Sequence, residues 1–383
     1  MKLTFISNYL THHQIPFSDE IYKMIGKDYT FISTCPMEAG RITMGWNCEC
    51  YPYELRSYRS EEEMETAKAL IRDSEVVIAG SVPESMISSR LKASKLTFRY
   101  SERIFKNGRW HVFSPRAIRN IILHHTRYCK KQVYLLCAGG YVAGDYHMLG
   151  AYIGKTYRWG YFPETITYDI KTLLKGKKSN VTELLWAGRF LGWKHPELAV
   201  KLVKRLVTEG YRVHLTMIGN GEKEACLKYM AESYGISDTI TFLDFMPPEK
   251  VRHYMEKSNV FLFTSDFKEG WGAVLNEAMN SGCAVVASHA IGAVPFLIKP
   301  GVNGLVFKSN DDNDLYKAAV SIISDRKRQE ELGKSAYETV TELWNAKTAA
   351  ARFIRLAEEL MEKKTVESYT EGPCSRTSFL SNH

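Results

Sequence analysis

The chain alternates short apolar runs of β type with helical patterns, and it does so twice. The first series of runs lies at 3–8, 29–34, 75–80, 95–100, 132–139 and 155–162. The second lies at 183–190, 211–221, 239–246, 259–265, 283–288 and 305–307. Strands separated by helices cannot close as hairpins, so each series predicts a parallel sheet covered by helices on both faces. Between them KTLLKGKKSNV (171–181) has little to bury and reads as a linker. The expected fold is α/β, with two Rossmann-like doubly wound domains, 1–172 and 182–347, facing a central cleft. A helix at 348–364 follows, then a tail at 365–383 whose low apolar content predicts poor order. Such sheets bind ligands beyond the C-terminal ends of their strands, which confines the search for a site to the strand-to-helix loops.

A length of 383 residues suits two such domains. No apolar run reaches the ~20 residues of a membrane span, because CAVVASHAIGAVPFLI is interrupted by Ser288, His289 and Pro295. The opening MKLTFISNYLTHH lacks the apolar core of a secretion signal, so a cytoplasmic location is expected. Cys137 and Cys283 lie in apolar runs, and the Cys48/Cys50 pair has no second pair at zinc spacing; neither a disulfide framework nor a metal site is expected. Charge is uneven. Residues 1–180 hold 26 Lys+Arg against 17 Asp+Glu, and Ser85 to Lys131 holds twelve basic residues against the single acid Glu102.

The densest chemistry lies in SDFKEGWGAVLNEAMNSGCAVVAS, from Ser265 to Ser288. Gly270 and Gly272 place Glu269 in a loop and Glu277 inside the following helix, so the two carboxylates flank backbone N–H groups at a helix start. That arrangement suits a polyhydroxylated ligand carrying phosphate, one carboxylate for sugar hydroxyls and the other for ribose. GRFLGWKHPE (188–197) sets Arg189 and Lys194 on another strand-to-helix loop, a planar fork and a point charge of the kind a departing diphosphate requires.

These motifs resemble retaining glycosyltransferase family 4, within the glycosyl transferases of group 1. The shared features are E-x7-E written EGWGAVLNE, the VVAS strand, a turn with Gly301, Asn303 and Gly304, and a G-R-x4-K element. The resemblance implies the GT-B fold, with the C-terminal domain binding a UDP- or GDP-sugar, no further cofactor, and the helix at 348–364 crossing back to the first domain. It implies that Glu269 contacts the transferred sugar, that Glu277 holds the ribose, and that amides at Gly270, Trp271, Gly272 and Ala273 face sugar and phosphate. Arg189 and Lys194 would neutralise the diphosphate without a metal. Gly188, Gly219 and Ser265 are further donor-site candidates. The family often has Gly where this chain has Asp244, which leaves the base open between UDP and GDP.

The first half resembles the family in architecture and a few loops, and should hold the acceptor. Asn8, His12 and His13 in the first loop could meet acceptor or phosphate, or serve capping and packing. Where the family often has His after a strand, this chain has Arg99 and Tyr100, with Glu102 following, so no general base is assigned. DDND (311–314) has metal-site spacing but precedes a helix, where Asp caps. The implied activity is transfer of a hexose-type sugar, with retention, to a saccharide or lipid-linked acceptor in surface polysaccharide or glycolipid synthesis. A sugar-nucleotide epimerase is the alternative on the same architecture. No nucleic-acid recognition module is present. The basic segment, interleaved with Phe98, Tyr100, Phe105, Trp110 and Phe113, is expected to touch anionic membrane at the inner face of the cell membrane, or else to be a solvated face over core aromatics.

Overall fold

The computed structural model describes residues 1–38, 50–364, 366, 369–377 and 380; Cys48 lies outside them. The chain divides into two compact units, Met1–Glu164 with Trp344–His383, and Thr165–Leu343.

Unit 1 carries strands β1 (Leu3–Ser7), β2 (Tyr29–Ser33), β3 (Glu54–Arg56), β4 (Val76–Ala79), β5 (Thr97–Ser101), β6 (Val133–Ala138) and β7 (Thr156–Trp159). They form one sheet in the order 3-2-1-4-5-6-7, each neighbouring pair parallel. Unit 2 carries β8 (Thr182–Ala187), β9 (Val213–Ile218), β10 (Ile240–Leu243), β11 (Val260–Phe263), β12 (Ala284–Ser288) and β13 (Leu305–Phe307), parallel in the order 10-9-8-11-12-13. Both orders reverse once, between β1 and β4 and between β8 and β11. Those reversals are where the helices on either side diverge and leave room for a ligand. The three-residue edge strand β3, ELR, carries too little alternation to be recognised from sequence.

Helix Pro196–Thr208 illustrates why the elements form. Pro196 takes the first position, where no N–H is needed. Leu198, Ala199, Leu202, Val203 and Leu206 recur at helical spacing and are buried against β8 and β9. Ser60 caps helix Glu61–Asp73 by accepting from the Glu63 N–H at 3.1 Å, and three glutamates occupy its first turn.

Two segments differ from expectation. The supposed linker contains helix Ile170–Gly176, capped by Asp169, and belongs to unit 2. Lys177 beyond it is buried, its Nζ donating to the carbonyls of Met255 (3.0 Å), Ser258 (2.8 Å) and Ser281 (2.7 Å). Those carbonyls end two helices, where a cation meets the negative end of the macrodipole. Burial pushes the Lys177 pKa down. A lysine-rich stretch therefore contains a packing element whose partners lie some 80 to 100 residues away.

The tail read as poorly ordered also packs. Cys374 and Ser375 are buried, and the backbone pairs with β7 through Arg158 N–H to Ser375 O (2.7 Å) and Cys374 N–H to Arg158 O (2.9 Å). Main-chain pairing along a sheet edge needs few apolar side chains, so composition could not reveal it. Helix Ala346–Met361 lies in unit 1, where Phe353 meets the rings of Phe17, Phe98 and Trp159 at 4.9–6.1 Å between centroids.

Candidate active site

The predicted donor-site residues other than Gly219 follow β8 and β11, the reversal point of the unit 2 sheet. After β8 the chain runs through Gly188 and an exposed Arg189 to Lys194. After β11 it passes Thr264 and the buried Ser265 to Glu269. Lys194 Nζ donates to Glu269 Oε2 at 2.6 Å, and Ser265 Oγ donates to the same oxygen at 3.0 Å. Both charged side chains keep only 12–13 % of their surface exposed. The arrangement couples the two motifs directly: the cation expected at the diphosphate and the carboxylate expected at the sugar neutralise each other.

One backbone bond and one side-chain bond hold the two loops in register. The Asp266 N–H donates to Trp193 O at 2.9 Å, and Thr264 Oγ1, itself fixed by the Trp186 indole N–H, donates to Lys194 O at 2.7 Å. Gly219, after β9, explains its own identity. At φ +141° an added Cβ would lie 1.9 Å from the Gly188 carbonyl oxygen, so only glycine lets β9 run this close to the β8 loop. Gly272, at φ +88°, would set a Cβ 2.5 Å from the Phe263 ring and 3.2 Å from Glu269 Cγ. Gly270 is buried, and its carbonyl oxygen would lie 1.7 Å from a Cβ on Gly292, a close approach that the sequence reading missed.

Trp271 is placed differently from a ligand-facing aromatic. Its ring is fully buried, and its indole N–H donates to Asn276 Oδ1 at 2.9 Å, so the side chain anchors the loop from beneath. Ala273 occupies the N-cap position of the short helix Val274–Asn280, without a side-chain capping bond, and Glu277 lies in the first turn. Glu277 is partly exposed as a residue while its carboxyl group is enclosed. Burial pushes that carboxyl up to about 7, opposed by Arg252 and reinforced by Glu249. Asp244 accepts from the Asn220 amide at 2.9 Å and from the Phe245 N–H. Asp311 accepts from the Asn313 and Asp314 N–H groups as a helix cap. Among the described residues no group of three or more His, Cys, Asp or Glu is placed to hold a metal ion.

The acceptor-side candidates lie in unit 1 and fall into two sets. His12 and His13 contact each other at 3.7 Å between ring centroids, and His13 stacks on Tyr161 at 5.2 Å and 10°. The Tyr161 hydroxyl donates to Glu102 Oε1 at 2.5 Å, and the other Glu102 oxygen accepts from Lys106. Tyr161 thus joins two predicted residues, His13 and Glu102, and the sequence offered no motif to find it. Asn8 Oδ1 accepts from Ser7 Oγ at 3.0 Å. Arg99 stands apart, buried and bidentate to Glu84 at 2.5 and 2.8 Å, with a further bond to the His124 carbonyl. Both terminal nitrogens are thereby engaged, while the buried Nε has no hydrogen-bond partner among the described residues.

The basic segment is less available than its composition implies. Arg90 is buried against the carbonyls of Ile71, Ser74, Glu75 and Leu96, and Arg103 pairs with the buried Asp145 at 3.3 Å. With Arg99 these are internal cations, and Phe98 and Phe105 are core. Facing outward are Trp110 (66 % exposed), Phe113 (80 %) and the helix Pro115–His124 with Arg116, Arg119, Ile122 and Leu123, together with Lys92, Lys95, Arg127 and Lys130.

Comparison with known proteins places this architecture. Anabaena Alr3699/HepE, solved in complex with UDP, superposes at TM-score 0.68 with 16 % identity, covering 94 % of this chain and all of that one; it was also solved with UDP-glucose. The likeness is one of fold, and the fold is GT-B. Residues 172–339, most of unit 2, match the family Glycosyl transferases group 1. An uncharacterized glycosyltransferase of Methanocaldococcus jannaschii is 27 % identical over 199 residues, 52 % of this chain and 50 % of that protein. The amylovoran biosynthesis glycosyltransferase AmsK of Erwinia amylovora is 28 % identical over 159 residues, 40 % and 38 % of the two chains. The chain thus spans half or less of the length of these curated relatives.

Proposed function

We propose that this chain is a retaining, metal-independent glycosyltransferase that moves a hexose-type sugar from a UDP- or GDP-sugar to a saccharide or lipid-linked acceptor in surface polysaccharide or glycolipid synthesis. The observation that carries the reading is the meeting of Lys194, Glu269 and Ser265 at the reversal point of the unit 2 sheet, with Arg189 exposed on the same loop. In this reading Arg189 and Lys194 take the charge that develops on the diphosphate, Glu269 holds the sugar, and Glu277 accepts from the ribose hydroxyls. The acceptor meets the His12, His13, Tyr161 and Glu102 group of unit 1. Retention follows the family resemblance, with the leaving phosphate taking the acceptor proton on the face it departs from. Peripheral contact with anionic lipid belongs to the same reading, now through Trp110, Phe113, Arg116 and Arg119.

The test is thermal stabilisation by UDP-, GDP- and ADP-sugars, followed by nucleotide release with and without acceptor. A ligand at 100 times its Kd raises stability by about 2.7 kcal/mol. Stabilisation by one nucleotide class, reduced in Glu277→Gln, is expected. No stabilisation by any of the three would overturn the donor assignment.

A further inference from the structure

His195 joins the loop after β8 to helix Pro196–Thr208 in an unusual conformation. Its backbone is left-handed, φ +47° and ψ +49°, where Gly or Asn is the ordinary choice, and Pro196 restricts it further. The position nevertheless holds an imidazole, and the imidazole reaches across to the other loop of the site. Its Nδ1 lies 3.1 Å from Glu197 Oε1 and its Nε2 lies 3.5 Å from Asp266 Oδ2, with both residues mostly enclosed.

Asp266 is the knot of the second loop. Its N–H donates to Trp193 O at 2.9 Å, its carbonyl accepts from the Glu269 N–H at 3.1 Å, and its Oδ1 accepts from the Lys268 N–H at 2.8 Å. One residue therefore contacts the neighbour of Lys194 through its side chain and Glu269 through its backbone.

We infer that His195 is a positioning residue that clamps the loop carrying Lys194 to the loop carrying Glu269 through Asp266. The inference rests on the donor-site reading. The loops also meet through the Asp266 N–H on Trp193 O and Thr264 Oγ1 on Lys194 O, and the imidazole adds a charged contact beside the Lys194–Glu269 pair. The charged groups around it are Glu197 on its own helix, Asp266 on the facing loop, Lys194 next in sequence, and Lys223, which acts on Glu197. The two carboxylates, Asp266 first, raise the imidazole pKa to about 9. The clamp is complete below the ordinary imidazole value of 6.5 and is lost as pH rises through about 9.

His195→Asn and His195→Gly both accept the left-handed backbone, so they remove the charge without imposing strain. With UDP-glucose and GDP-mannose as donor probes, each variant should lower kcat about tenfold with KM changed by less than about twofold, as a misplaced rather than a missing contact does. Asp266→Asn should do the same, and the His195→Asn/Asp266→Asn double variant should be no worse than either single one. In the wild type turnover should fall above pH 9, and Asp266→Asn should move that limb downward. Independently of activity, the His195 ring followed by NMR should titrate near 9 in the wild type and well below it in Asp266→Asn. A wild type that neither binds nor turns over either donor defeats the donor reading. A working wild type matched by His195→Asn in kcat and in its high-pH limb, or a His195 ring titrating near 6.5, overturns this inference alone.

Discussion

Glu277→Gln separates the two consequences of enclosing a carboxylate that is to hold ribose. In the folded chain the group protonates at about 7, against an ordinary 4.5. Between those values the folded state keeps a proton that the unfolded state has released, so stability falls as pH rises through the window. At about 1.4 kcal/mol per pH unit the full effect is about 3 kcal/mol, and the partial solvent contact of the residue brings it to about 2 kcal/mol. The amide carries no such penalty. Glu277→Gln should match the wild type near pH 5 and exceed it by about 2 kcal/mol at pH 8 in urea unfolding. Binding should move the other way. Ribose hydroxyls donate to the ionised carboxylate, so UDP binding near pH 7 should release a fraction of a proton, visible as different calorimetric enthalpies in PIPES and Tris. The variant should release none and should bind UDP about 10- to 150-fold more weakly at pH 8, the equivalent of about 1.5–3 kcal/mol. A variant less stable than the wild type at pH 8, or one with wild-type UDP affinity and no change in proton release, would refute the reasoning.

Glu269→Gln should lower donor turnover about 100-fold while leaving UDP affinity unchanged or tightening it by about 3- to 10-fold, because Lys194 loses its internal counter-ion. Calorimetry showing a loss equal to that of Glu277→Gln would end the division of roles. Turnover should persist in EDTA and fall about 100-fold or more in Arg189→Ala and in Lys194→Ala; activity lost in EDTA and restored by manganese would contradict this. Sedimentation with anionic vesicles at low salt should carry the protein down, and Trp110→Ala/Phe113→Ala/Arg116→Gln/Arg119→Gln should leave it in the supernatant. Equal recovery of the wild type with neutral and anionic vesicles would favour an acceptor met in solution.

The sheets were legible because buried parallel strands must be almost wholly apolar, and runs such as EVVIAG and CAVVAS leave no other reading. Legibility failed where stability comes from distant polar partners. KTLLKGKKSNV looks like a linker until Lys177 is seen to end two helices, and the tail looks disordered until its main chain pairs with β7. Charge misled for the same reason. Arg90, Arg99 and Arg103 count as surface in a sequence, while in the fold they satisfy carbonyls and carboxylates inside unit 1.

In the site, the sequence proposed residues to touch a ligand but did not point to those that hold them. Glu269 and Lys194 are 75 positions apart, and nothing in either motif states that they share a hydrogen bond. What brings them together is the strand order: β8 and β11 are neighbours across the sheet reversal, so the loops after them must meet. Once they meet, unlike charges at 2.6 Å with little solvent are costly to separate, and the site carries its own reason to keep its shape before any ligand arrives. A diphosphate entering such a site must compete with Glu269 for Lys194. On the donor-site proposal, sugar hydroxyls would take up the released carboxylate and add to binding, which would tie recognition of the sugar to neutralisation of the leaving group.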